Sequence, residues 1–194
     1  MLWSQNATGV DVRFSLRDVA DQTAALYALG ENTVKSLSDP LVRRTAIEVV
    51  QQCPSRDDLC ELQAIYRAVK EGDPRVEALK TGFKYVADPR SVDYFVSPRR
   101  NLEWCLGGAC GGDCDDHAAL ISALAGSLGF KVGLRAWGNG TDFAGTQPVL
   151  SHVYAVVGVP KRNPTRVIGM DTTVKSAHVG WEPPTGVVKT AWIT

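Results

Sequence analysis

Residues 107–129, GGACGGDCDDHAALISALAGSLG, decide how the rest of the chain is read. Glycines crowd the start of this stretch, a composition suited to a tight turn where backbone must come close to something. Beyond Cys114, the residues Ala118, Leu120, Ile121, Leu124, Ala125 and Leu128 leave hardly a polar face. The spacing predicts a helix through the core, preceded by Asp113 and stopped by Gly129. Unpaired backbone N–H groups and the helix dipole favour an anion at such a junction, so a Cys114 thiolate is stabilised there. The same N–H groups can hold the oxyanion of an acyl-transfer intermediate. Read alone, Cys114 is equally a small buried hydrophobe.

Downstream, alternating apolar runs predict strands at 131–137, 152–159, 166–170 and 187–193, separated by Gly/Pro/Asn loops. Upstream the pattern is helical. Ser15 and Asp18 offer a capping box before Leu16, Val19, Ala20, Thr23, Leu26 and Tyr27. Asp39-Pro40 opens a second helix with Leu41, Ile47 and Val50 inward and Pro54 as its end. Ser55 and Asp58 start a third, whose stripe of Leu59, Leu62, Ile65, Tyr66 and Val69 breaks at Gly72-Asp73-Pro74. These three read as packing elements. Phe83-Lys84-Tyr85-Val86 suggests a short strand stopping at Asp88-Pro89. Helices come first and strands last, which is an α+β arrangement with an antiparallel sheet. Residues 1–72 form a terminal arm and helical extension and 73–194 the core, expected as one compact unit.

Composition narrows the function classes. The 194 residues carry 21 Lys+Arg against 21 Asp+Glu, with 44% hydrophobic and 22% charged positions. Zero net charge argues against a nucleic-acid binder led by phosphate attraction. A chain of this size buries one good core. Charged residues interrupt every hydrophobic run before the ~18 apolar positions of a membrane span. The start, MLWSQNATGVDVRF, lacks the basic and apolar regions of a signal peptide, so a reducing cytoplasm is the expected compartment. Five cysteines, clustered as Cys53/Cys60 and Cys105/Cys110/Cys114, fit poorly with a secreted disulfide framework. At least one is expected to stay outside any disulfide.

Two residues join Cys114 as candidates. His152 opens the alternating strand HVYAVVGV, and Asp171 ends the next strand, VIGMD. Adjacent antiparallel strands place both side by side. Asp171 then accepts a hydrogen bond from one imidazole nitrogen, fixing the tautomer, while the other nitrogen pairs with the Cys114 sulfur. Without that geometry, His152 is a structural histidine and Asp171-Thr172-Thr173 a plain turn.

GDCDDHA followed by a hydrophobic helix, then SHVYAVV, then GMDTT, resembles the transglutaminase-like branch of the papain-like cysteine enzymes over roughly residues 85–184. With the upstream KYVADP and SPRRNLE, the GDCDD form is similar to small proteins of that branch from bacteria and their phages. The resemblance implies a papain-like α+β fold: a core helix carrying the nucleophile Cys114, packed on an antiparallel sheet, with His152 as base and acid and Asp171 orienting it. It implies amide acyl transfer by a cysteine peptidase, amidase or transglutaminase on a peptide or protein amide substrate, without a cofactor or metal. Members of this branch often supply an oxyanion donor from a side chain upstream of the cysteine. Tyr85 and Trp104 both qualify here, and their spacing does not choose.

Other readings compete. Cys105, Cys110, Cys114 and His117 form a C-x4-C-x3-C-x2-H run of four potential zinc ligands, although zinc pairs favour C-x2-C spacing. His117 also competes for the base role. Asp113, Asp115 and Asp116 offer a calcium site, but Asp113 and Asp115 read first as helix-start charges complementing the dipole. A structural role with an idle site, for example within a phage particle, would use the terminal arms and their Trp3 and Trp192 to contact further copies or partners. Loop 138–150 is expected to shape the acceptor side, Lys175, His178, Trp181 and Glu182 are candidate rim residues, and Arg99 with Arg100 offers a contact to an acidic partner but reads first as a solvated pair.

Overall fold

The computed structural model describes residues 2–6, 9–13, 19–88, 94–141 and 148–194. The N-terminus is an antiparallel hairpin, β1 (Leu2–Asn6) and β2 (Gly9–Arg13). Three helices follow: α1 (Val19–Ser36), α2 (Pro40–Val50) and α3 (Asp58–Lys70). The proposed Ser15/Asp18 cap and Leu16 lie outside the described residues, as do the side chains of Trp3, Val19, Ala20 and Thr23. Asp39 caps α2 as read, its carboxylate accepting from Leu41 N at 2.8 Å, with Pro40 in the first turn. The inward face of α2 differs from the expected one: Val42, Thr45, Ala46 and Val49 are buried, whereas Ile47 faces solvent. The cap of α3 is Asp57, accepting from Cys60 N, and not Ser55. Leu59 and Tyr27 likewise turn outward.

After the 3-10 turn Glu77–Leu79 comes β3 (Lys84–Tyr85), then α4 (Pro98–Leu106), β4 (Gly111–Gly112) and α5 (Cys114–Ser127). β3 and β4 pair in parallel, Tyr85 against Gly112. The remaining strands are β5 (Lys131–Gly138), β6 (Gly140–Thr141), β7 (Pro148–Val149), β8 (His152–Val159), β9 (Arg166–Met170) and β10 (Val187–Trp192). The main sheet has the order β10-β5-β8-β9, every neighbour antiparallel. The chain is therefore mixed helix and antiparallel sheet. The α5 and strand readings agree closely with these bounds; α4 was not foreseen, although Ser97-Pro98 carries the same cap-plus-proline signal as Asp39-Pro40, with the Ser97 hydroxyl accepting from Arg100 N.

Helix α5 is buried along nearly its whole length. Leu120, Ile121 and Leu124 share one cluster with Leu62, Ile65 and Val69 of α3, Val42 and Ala46 of α2, and Ala155, Val157 and Met170 of the sheet. Ala118 and Ala119 join a second cluster with Leu26 and Leu29 of α1 and Leu134 of β5. The N-terminal helices and the sheet thus bury α5 together. Burial of this kind stabilises by about 25 cal/mol per Å2 of apolar surface.

The cysteines overturn the expectation against disulfides. Cys53 bonds Cys60 and Cys105 bonds Cys110, leaving Cys114 as the cysteine outside a disulfide. Both bridges close local loops, of 7 and 5 residues' separation, so the crowding read as a poor fit to a secreted disulfide framework is what brings each pair together. Among the described residues, no helix is long and apolar enough to cross a membrane.

Candidate functional site

Glycine builds the approach to Cys114. A Cβ at Gly111 would collide with the Lys84 carbonyl, and one at Gly112 would overlap the Asp116 carboxyl. Only bare backbone lets β4 pair with β3 and run directly into α5. Val86 N donates to the Gly112 carbonyl at 2.8 Å and Lys84 N to the Cys110 carbonyl at 3.2 Å, while the Cys105–Cys110 bridge closes the preceding loop. Cys114 then occupies the first position of α5 and is partly accessible. Asp113 sits at the N-cap without a side-chain capping bond. The backbone N–H groups of this first turn are therefore not capped by Asp113, as an anion-holding site requires.

Strand alternation separates the two faces of β8. Val153, Ala155 and Val157 belong to or pack against the core clusters that also hold α5, and His152 and Tyr154 alternate with them along the strand. The register sets Trp137 opposite His152, with ring centroids 6.4 Å apart, and Tyr154 stacks beside the imidazole at 6.0 Å. β9 runs antiparallel to β8 with Met170 opposite Ala155, so the next residue, Asp171, emerges on the face of Tyr154 and His152. Asp171 Oδ2 lies 2.6 Å from His152 Nε2. Its other oxygen, Oδ1, accepts from Thr173 N and Thr173 Oγ1, each at 2.8 Å, and from Val174 N at 3.2 Å.

Asp171 is 1% exposed. Burial works against its charge, but the hydrogen bond and charge of His152 and the Thr173 donors outweigh it, and its pKa falls below the ordinary carboxylate value. An ionised Asp171 fixes the proton of the imidazole on Nε2 and leaves Nδ1 as the basic nitrogen.

The first turn of α5 is tied to this end of the sheet. His117, one turn beyond Cys114, places Nδ1 2.8 Å from Thr172 Oγ1. Its ring packs edge-on against Phe83 with centroids 4.8 Å apart. Burial pushes its pKa down to about 4, against the partial opposition of the Lys84 carbonyl and the Asp171 and Asp113 charges. His117 is thus a neutral interior group whose Nδ1 is engaged by Thr172. Of the two upstream aromatics, Tyr85 pairs with Gly112 at the entry to α5, and its pKa is raised by burial and then by negative charge on Cys114 and the neighbouring aspartates. Trp104 stands half-exposed on α4 with the Arg100 guanidinium over its ring.

The helix-start aspartates, read as charges complementing the dipole, lie in the interior. Asp115 and Asp116 are buried. Burial, a hydrogen bond shared with Asp113, and neighbouring negative charge raise Asp115 well above the ordinary value. Asp116 is pushed up to about 8 by burial and the Asp113 charge, although Asn101 Nδ2 and Val96 N donate to its Oδ1. Asp88, whose carboxylate accepts from Tyr94 N, rises to about 6, chiefly by burial.

The zinc reading fails on covalent grounds, because Cys105 and Cys110 are bonded to each other. Asp113, Cys114 and Asp115 do hold one potential ligand atom each within 4.8 Å of one another. Of the rim candidates, Glu182 is anchored, accepting from Arg135 Nη1 at 2.7 Å and from the Tyr154 hydroxyl at 2.5 Å, and Trp181 meets the Tyr154 ring edge-on. Arg99 is paired with Glu103 and Asp39 rather than simply solvated. Sequence reasoning missed Tyr66 and Lys70, which reach the Asp171 loop from α3. A scan of the chain against protein-family models finds no match, and a search of curated proteins finds none either.

Proposed function

We propose that this chain is a thiol-dependent acyl-transfer enzyme acting on amide bonds, a cysteine peptidase or amidase on a papain-like, transglutaminase-like core. Cys114 is the nucleophile, His152 the base and acid, and Asp171 the carboxylate that orients the imidazole. The observation that carries this reading is the 2.6 Å bond between Asp171 Oδ2 and His152 Nε2, at the sheet end to which His117 and Thr172 tie the first turn of the cysteine helix. Partial exposure of Cys114 and the depressed pKa of Asp171 support it.

The chemistry follows from those positions. His152 Nδ1 takes the thiol proton, and the Cys114 thiolate attacks the amide carbonyl carbon. Backbone N–H groups at the start of α5 hold the resulting oxyanion, with the Tyr85 hydroxyl as the second donor. The imidazolium returns its proton to the nitrogen as the C–N bond breaks, leaving a thioester and a free amine. Water, deprotonated by the same nitrogen, then releases the acid and restores the thiol. Hydrolysis is favoured over crosslinking because water needs no dedicated acceptor site.

A chromogenic acyl ester such as a p-nitrophenyl ester of an N-acyl amino acid tests this directly. The expected result is a burst of one nitrophenolate per chain, with an acyl adduct on Cys114 by mass spectrometry. Loss of both in Cys114→Ala completes the prediction. Acylation that persists in Cys114→Ala, or no acylation of the wild-type chain, would leave the structural reading in its place.

A further inference from the structure

We infer that Tyr66 and Lys70 of α3 are positioning residues that hold the loop carrying Asp171, so that this helix is part of the working site rather than a packing element alone. The inference rests on the proposed roles of Asp171 and His152. Its observations are independent of them.

The 171–177 segment leaves the sheet directly after Met170, where ladder hydrogen bonds no longer hold it. Its carbonyls turn toward α3. The Tyr66 hydroxyl lies 2.8 Å from the Asp171 carbonyl and 2.6 Å from the Ala177 carbonyl, and its single proton is shared between them. Lys70 lies one helical turn further on the same face, and its ammonium donates to the Tyr66 hydroxyl at 2.9 Å, to the Ala177 carbonyl at 2.6 Å and to the Val174 carbonyl at 3.1 Å. The Lys175 carbonyl lies at 3.3 Å. Two side chains therefore gather four carbonyls from one short loop.

The consequence for Asp171 is geometric. Its carboxylate is held on one side by His152 and on the other by donors of Thr173 and Val174, which belong to the same loop and move with it. Tyr66 fixes the Asp171 peptide from outside that loop, and Tyr66 is itself fixed by the core cluster in which its ring is buried. Releasing it lets the carboxylate drift relative to an imidazole anchored on β8. Drift of this kind, far from the reacting atoms, reduces rates by roughly tenfold to a hundredfold.

The test uses the full chain and the second-order rate of Cys114 alkylation by iodoacetamide at neutral pH. Tyr66→Phe removes only the hydroxyl, and Lys70→Met keeps the apolar stem without the ammonium. Each is expected to slow alkylation about tenfold, with circular dichroism showing the fold retained. If Tyr66→Phe loses the fold, Lys70→Met alone decides. Each effect is expected to vanish almost entirely in an Asp171→Asn background, because residues acting through one group are not additive. Wild-type rates in the folded single variants, or effects of undiminished size in the Asp171→Asn background, overturn the inference while leaving the Asp171 role standing. An Asp171→Asn chain that alkylates at the wild-type rate overturns the functional reading, and this inference with it.

Discussion

His117 Nδ1 and the Thr172 hydroxyl meet at 2.8 Å, and this bond joins the turn after Cys114 to the residue after Asp171. Two parts of the site from distant stretches of chain are thereby locked by neighbours of the chemical groups rather than by the groups themselves. Thr172→Val keeps the shape and deletes the hydroxyl, leaving a buried imidazole nitrogen unpaired. The expected loss is about 1–3 kcal/mol in urea unfolding. Thr172→Ser restores most of it. A Thr172→Val chain as stable as wild type would show that the bond holds nothing.

Stability should respond to pH in two opposed ways. The folded pKa of His117, about 4, lies below its unfolded value of 6.5, so the folded state binds fewer protons between those limits and stability rises with pH there. The folded pKa of Asp116, about 8, lies above its unfolded value of 3.8, so the folded state binds more protons and stability falls as pH rises toward 8. Above pH 6.5 the His117 effect is complete, and the raised Asp115 acts in the same direction as Asp116. Unfolding free energy is expected to fall from pH 6.5 to 8 by up to about 1.4 kcal/mol per pH unit for the Asp116 proton, and Asp116→Asn should flatten the slope. A slope unchanged by the substitution would place the titration elsewhere.

The thiol count distinguishes the disulfide pattern found here from a fully reduced chain. Under non-reducing denaturing conditions, one reactive thiol per chain is expected, and reduction should expose all five. In a chain-entropy account the Cys105–Cys110 loop contributes about 2 kcal/mol. Five thiols before reduction would contradict both bridges.

Much of this arrangement is local enough to be read from sequence. Asp39-Pro40, the apolar run after Cys114 and the alternation from His152 to Val159 each signal an element through neighbours a few residues away, and the bounds agree. Which face turns inward is a different matter. In α2 the buried row is Val42, Ala46 and Val49 while Ile47 is exposed, because α3 and α5 choose the face and the helix alone does not. The same limit applies to Asp116, whose charge is visible in sequence but which sits against Gly112 and accepts from Asn101 of α4. His152 and Asp171 were pairable because consecutive antiparallel strands bring them together. Nothing of that kind connects Tyr66 with Asp171, 105 residues apart on a helix and a loop.

The oxyanion donor offers a choice between two residues that the structure places differently. Tyr85 stands at the entry to α5 beside Gly112, whereas Trp104 is engaged with Arg100 on α4. Tyr85→Phe is expected to lower the acylation rate by roughly tenfold or more with little change in stability, and Trp104→Phe to leave the rate unchanged. The reverse pattern in acylation kinetics would reassign the donor.

The most direct test of the central claim is the pH dependence of Cys114 alkylation in wild type and in His152→Ala. Pairing with the imidazole predicts a wild-type midpoint well below the ~8.5 of an unperturbed thiol, moving up toward that value in His152→Ala. A wild-type midpoint at or above the unperturbed value, unmoved by the substitution, would contradict a thiolate–imidazolium pair.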